Sequence, residues 1–189
     1  MDFFKNGIDL FAIREYSISM LKGQDILVLL KLVVRHDKHD TYAALAKALE
    51  MSPSEVHAAV GRLAQAGFLN ADERIPNRAS VYEFLVHGLR FVFPVERPFG
   101  VCRGMPTAQG APFVKSVFES ASDPLPVWPD AHGKLRGIGI APLYPSVPQA
   151  AGADEALYRL LVLCDLLRGG QAREREWAAN HLKELLFTL

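Results

Sequence analysis

The chain has 189 residues, half of them apolar, with 21 basic and 21 acidic side chains and no formal net charge. That length and apolar content support one substantial core, and a zero balance argues against a sequence-blind, polybasic nucleic-acid binder. Two cysteines, Cys102 and Cys164, are too few for a disulfide framework or a zinc cluster. No run approaches the roughly 18 apolar residues of a membrane span, and Asp2, Lys5, Asn6 and Asp9 interrupt the apolar start, so a reduced, cytoplasmic protein is expected.

Taken in chain order, Phe3, Phe4 and Phe11 give the first segment an apolar character. Ile26, Leu27, Leu29, Leu30, Leu32, Val33 and Val34 predict a strongly buried helix over about 20–35. The charged turn "HDKHD" at 36–40 follows; His36 and His39 lack a partner cluster for metal, so a solvated turn is the better reading. Thr41 or Asp40 can cap a second helix, "TYAALAKALEM", with Leu45, Ala48 and Leu49 inward. Then Ser52 and Glu55 form a capping box with Pro53 at the first helical position. Val56, Val60 and Leu63 make the apolar stripe of that helix, and Gly67 stands where a left-handed cap ends it. Its other face carries Ser54, His57, Ala58, Gly61, Arg62 and Gln65. Beyond the turn residues Pro76 and Asn77, a further helix is expected from Ser80, with Val81, Phe84 and Leu85 inward.

Of the twelve prolines, only Pro53 and Pro76 precede residue 94, and none follows residue 150. Residues 94–150 therefore read as loops and short strands, yet their many apolar side chains predict packing onto the flanking helices. Residues 151–189 read as an antiparallel helix pair: Leu157, Leu160, Leu161 and Cys164 face Ala178, Leu182, Leu185 and Leu186 across a Gly169-Gly170 turn. The expected organisation is thus 1–93, 94–150 and 151–189. The fold class is mainly α (α+β), with a helix-turn-helix, a Pro/Gly-rich middle with short strands, and the C-terminal pair.

The spacing of Thr41, Leu45, Ala46, Leu49, Met51, Ser52, Val56, Val60, Leu63, Gly67, Phe68 and Leu69 resembles the winged helix-turn-helix domain of bacterial transcription regulators. The type is that of the multiple-antibiotic-resistance and arsenic repressors, and the resemblance covers about residues 22–80. It implies a sequence-specific DNA-binding regulator, in which the helix after Ser52 enters the major groove and a basic hairpin reaches the backbone. On that reading Ser52 and Ser54 meet a phosphate. His57, Ala58, Arg62 and Gln65 face base edges, and Arg74, Asn77 and Arg78 belong to the wing. The alternative is a protein-interaction subunit using the same scaffold, such as the partner of an enzyme or toxin.

No catalytic motif is present, and "RGIGIA" at 136–141 lacks the third glycine of a dinucleotide fingerprint. No enzyme activity, cofactor or metal is therefore expected. Arg103, Thr107 and Gln109, held between glycines and prolines in "VCRGMPTAQGAPFV", are the candidate lining of a small-molecule effector pocket, with tight packing the competing explanation. Trp128 reads as a core anchor. The apolar end at Leu185, Leu186, Phe187 and Leu189, with Phe3, Phe4 and Phe11, suggests a homodimer interface.

Overall fold

Lys22 opens the first helix, α1 (Gly23–Val34), and its backbone N–H donates to the Asp25 carboxylate at 2.8 Å. Every side chain from Ile26 to Leu30 is fully buried. An element apolar on all sides belongs at the centre, and α1 packs against α3 (Pro53–Gln65) and α8 (Glu155–Gly169). The computed structural model describes residues 21–35, 41–70, 74–96, 100–118 and 124–188. Phe3, Phe4, Phe11, the "HDKHD" turn and Leu189 lie outside the described residues.

Thr41 caps α2 (Tyr42–Leu49) by accepting from the Ala44 N–H at 3.1 Å. Leu45, Ala46 and Leu49 are its buried residues. Glu50 then takes a left-handed conformation, φ 53°, which turns the chain within three residues into α3. Ser52 and Glu55 close the expected capping box, with Pro53 at the first turn. Gly67, at φ 78°, ends α3: Gly67 N–H donates to Ala64 C=O and Phe68 N–H to Leu63 C=O, each at 3.0 Å. These are the paired bonds of a Schellman cap.

A two-stranded antiparallel hairpin follows, β1 (Leu69–Asn70) and β2 (Ile75–Pro76), in which Leu69 opposes Pro76 and Asn70 opposes Ile75. The next helix begins earlier than Ser80. Asn77 caps α4 (Arg78–Glu83) by accepting from Ser80 N–H. A single π turn at Phe84–Gly88 then leads into α5 (Leu89–Val92).

The middle segment forms a three-stranded closed sheet. β3 (Val101–Pro106) lies antiparallel to both β4 (Pro126–Pro129) and β5 (Leu135–Gly139), and β4 and β5 close the circle in parallel. So tight a closure needs glycine. A Cβ at Gly104 would sit 2.1 Å from Trp128 O, one at Gly133 2.3 Å from Gly104 C, and one at Gly137 2.0 Å from Leu125 O. A short helix, α6 (Pro112–Lys115), stands between β3 and β4, and α7 (Val147–Gly152) precedes α8. α8 and α9 (Ala172–Thr188) pack on each other, with Leu157, Leu160, Leu161, Cys164, Ala178, Leu182 and Leu186 buried. Leu185 is half-buried, and Phe187 is 55% exposed beside Tyr82. The whole is a mixed α/β fold of several helices and small sheets.

Candidate functional site

The pair α2 and α3 presents one side of α3 outward. Val56, Ala59, Val60 and Leu63 are buried, while Ser54, His57, Ala58, Gly61 and Gln65 are exposed. Nothing lies within 4 Å of where a Gly61 Cβ would stand. The N-terminal serines are partly engaged: Ser52 Oγ accepts from Glu55 N–H at 3.2 Å and lies 3.0 Å from Ser54 Oγ. Glu55 also accepts from the Tyr144 hydroxyl at 2.8 Å, which ties this helix end to the chain before α7. The Ser52 backbone and hydroxyl bonds, with that of Tyr144, hold the Glu55 carboxyl below its usual value. His57 meets the Tyr42 ring edge-on at 5.1 Å, and the Arg74 guanidinium lies 5.0 Å from the same ring.

Arg62 is placed differently from its sequence expectation. It flanks the buried stripe rather than facing outward, and its Nε and Nη2 donate to Asp25 Oδ2 and Oδ1 at 2.8 and 2.5 Å. Asp25 is fully buried and the Arg62 side chain is 15% exposed. The physical reason is that a carboxylate enclosed among leucines and valines needs a cation, and α3 is the element packed over it. The bond to Asp25 raises the Arg62 pKa.

The hairpin residues also have partners within the chain. Arg74 has φ 52°, and its carbonyl accepts from Arg35 Nη2 at 2.8 Å. Asn77 caps α4, and Arg78 Nη1 donates to Leu186 O at the end of α9. The structure therefore brings Ser54, His57, Ala58 and Gln65 together on one exposed face, with Arg74 linked to it through Tyr42. It directs Arg62, Asn77 and Arg78 into structural contacts.

Arg103, Thr107 and Gln109 each take a separate partner. Arg103 is exposed and donates to Gly133 O at 3.2 Å; Gln109 donates to Glu174 at 2.7 Å. Thr107 is fully buried and belongs to a polar cluster absent from the sequence expectations. Its hydroxyl donates to Asp165 Oδ2 at 2.8 Å, Trp128 Nε1 donates to the same oxygen at 2.6 Å, and Arg168 Nη1 reaches Asp165 Oδ1 at 2.9 Å. Arg168 Nε also donates to Phe93 O at 2.8 Å. Burial pushes the Asp165 carboxyl up, opposed by Arg168, Thr107 and Trp128. Burial likewise pushes up the Cys164 thiol beside it, so that cysteine is an inert core residue. The cluster ties β3, β4, α8 and the chain after α5 together. The sequence signal was the Asp165…Arg168 pair, three residues apart inside an apolar helix, where a charge cannot stand alone. A cavity of about 240 Å³ adjoins this cluster at Phe93 and Arg168, lined also by Gly23, Pro94, Glu96, Pro142 and Leu143.

Among the described residues no group of three or more His, Cys, Asp or Glu side chains could hold a metal ion, and no helix is long and apolar enough to cross a membrane. Comparison with family models, curated proteins and solved structures gives no match.

Proposed function

We propose that the chain is a DNA-binding transcriptional regulator whose winged helix-turn-helix, α2 through β2, reads duplex DNA with the outward face of α3. The observation that carries this reading is that face itself. A doubly capped helix in helix-turn-helix context exposes only small and hydrogen-bonding side chains, beside a two-stranded hairpin. His57 and Gln65 are the base-edge readers, Ala58 meets a thymine methyl, and Gly61 permits close approach. Ser54 and the α3 N-terminus meet a phosphate. Arg62 is a structural residue in this assignment.

The second reading, a protein-interaction subunit, is favoured by one specific feature. The exposed α3 face carries no Lys or Arg, and Arg62, Arg74 and Arg78 all hold intramolecular partners. The two readings separate in one experiment. Duplexes selected from random sequence at about 0.15 M salt are compared with scrambled ones, for wild type and for His57→Ala with Gln65→Ala. A preferred site whose advantage falls by about 1–3 kcal/mol per lost base contact supports the reader. Binding no better than to scrambled DNA removes it in favour of the interaction subunit.

A further inference from the structure

The strand register places two arginines directly opposite one another. Arg103 on β3 pairs with Arg136 on β5, and cross-strand partners project from the same face of a sheet. Lys134 stands two residues before Arg136, at the position just ahead of β5. All three are exposed, as is His132 at the adjoining turn. Like charges directly opposite are destabilising, and an acidic neighbour is the ordinary remedy. None is present: among the described residues no carboxylate forms an ion pair with Arg103, Lys134 or Arg136. Asp130 turns its Oδ1 to the His132 backbone N–H at 3.0 Å. Over residues 100–140 the sequence carries four cations, Arg103, Lys115, Lys134 and Arg136, against three acids, Glu119, Asp123 and Asp130, a net of +1 in a chain whose total is zero.

This platform is also rigid. Gly104, Gly133 and Gly137 leave no space between the strands, and Arg103 Nη1 is positioned by the Gly133 carbonyl. We infer that the outer face of this small closed sheet is a phosphate-contacting surface for nucleic acid, with Arg103, Lys134 and Arg136 as its cations. The inference rests on the DNA reading of α3 and supplies what that face lacks. A neutral reader helix discriminates among bases but neutralises few phosphates, whereas clustered cations give affinity without sequence preference. The exposed apolar neighbour Val101, two residues before Arg103 and on its face, suits contact with sugar rings.

The test measures binding of a scrambled duplex and of the selected site between about 0.05 and 0.3 M salt. Wild type is compared with the triple variant Arg103→Gln, Lys134→Gln, Arg136→Gln. Three lost phosphate contacts should reduce the slope of log K against log salt by about 2.7, which is about 170-fold in affinity at 0.15 M salt. Both duplexes should weaken alike, leaving the preference for the selected site intact. The charge-keeping pair Arg103→Lys with Arg136→Lys should retain the wild-type slope. A loss there as large as in the triple variant would assign the effect to disturbed folding and overturn the inference. An unchanged slope in the triple variant overturns it too, while the α3 reading stands as long as His57→Ala with Gln65→Ala still abolishes site preference. If wild type binds polyglutamate but no duplex, both fall, and the surface belongs to an acidic protein partner.

Discussion

Replacing Arg62 with alanine separates a structural arginine from a base-reading one. Asp25 is fully buried on α1, and two of its bonds, at 2.8 and 2.5 Å, come from Arg62. Removing one member of a buried pair costs about 3–5 kcal/mol, because the other charge is stranded. Asp25 would keep the bond from the Lys22 N–H, and the Arg62 side chain is 15% exposed, so water can reach part of the gap. The lower end of the range, about 3 kcal/mol, is therefore expected. For a chain of this size that lowers the melting temperature by about 6–12 °C. Urea unfolding of Arg62→Ala, Asp25→Asn and the double variant gives the coupling, for which about 2 kcal/mol is expected. A melting temperature within about 1 °C of wild type, or strict additivity in the double variant, would refute the buried-pair account and return Arg62 to the surface.

Other substitutions probe different contacts. Gly61→Ala meets nothing within 4 Å, so it should stabilise α3 by about 0.5–1 kcal/mol while weakening binding to the selected duplex, two changes of opposite sign read by melting and titration. Gly137→Ala drives a Cβ to 2.0 Å from Leu125 O and should cost about 3 kcal/mol, with altered tryptophan fluorescence as Trp128 shifts; wild-type stability would contradict the closed sheet. Thr107→Val removes one of the two donors to Asp165 Oδ2 and should cost about 1–3 kcal/mol in urea unfolding. Acid sensitivity follows from two carboxylates. Glu55 is held low by Ser52 and Tyr144; for Asp154, burial acts upward but the Lys31 ammonium and the Leu157 N–H bring the net shift down. A depressed folded-state pKa gives stability that is present above the ordinary values of 4.5 and 3.8 and lost as pH falls below them through the lowered folded-state values, so Glu55→Gln should flatten the acid limb of the stability profile.

Features with local causes were legible in the sequence. The Thr41 and Ser52 caps, Pro53, and Gly67 with Phe68 are where the chain's own spacing puts them, because each bond closes within a few residues. The strands Leu69–Asn70 and Ile75–Pro76 were not, since two residues carry no alternation. In "RGIGIA" nothing local names the Leu125 carbonyl that a Cβ at Gly137 would meet. Thr107 and Gln109 stood out in the sequence only as candidate pocket residues in a constrained segment. Their partners Asp165 and Glu174 lie 58 and 65 residues away, a distance across which pattern carries no information. Arg62 failed for the same reason: the helix period placed it on the outward face, and only Asp25, 37 residues earlier, decides which way it turns.

The zero net charge, taken alone, argues against phosphate binding, and the fold changes what that number means. Asp25 with Arg62, Asp154 with Lys31, and Asp165 with Arg168 are paired inside or at the edge of the core. Those six charges hold helices together and present little field to solvent, since paired opposite charges cancel at a distance. Acidic groups consumed in that way cannot screen the cations of the closed sheet, where Arg103 and Arg136 face each other with no ion-paired carboxylate among the described residues. Neutrality of the whole chain is therefore compatible with a local positive face. It also predicts a division of labour, with base preference residing in α3 and salt sensitivity in β3 and β5, so that substitutions in one should leave the property of the other unchanged.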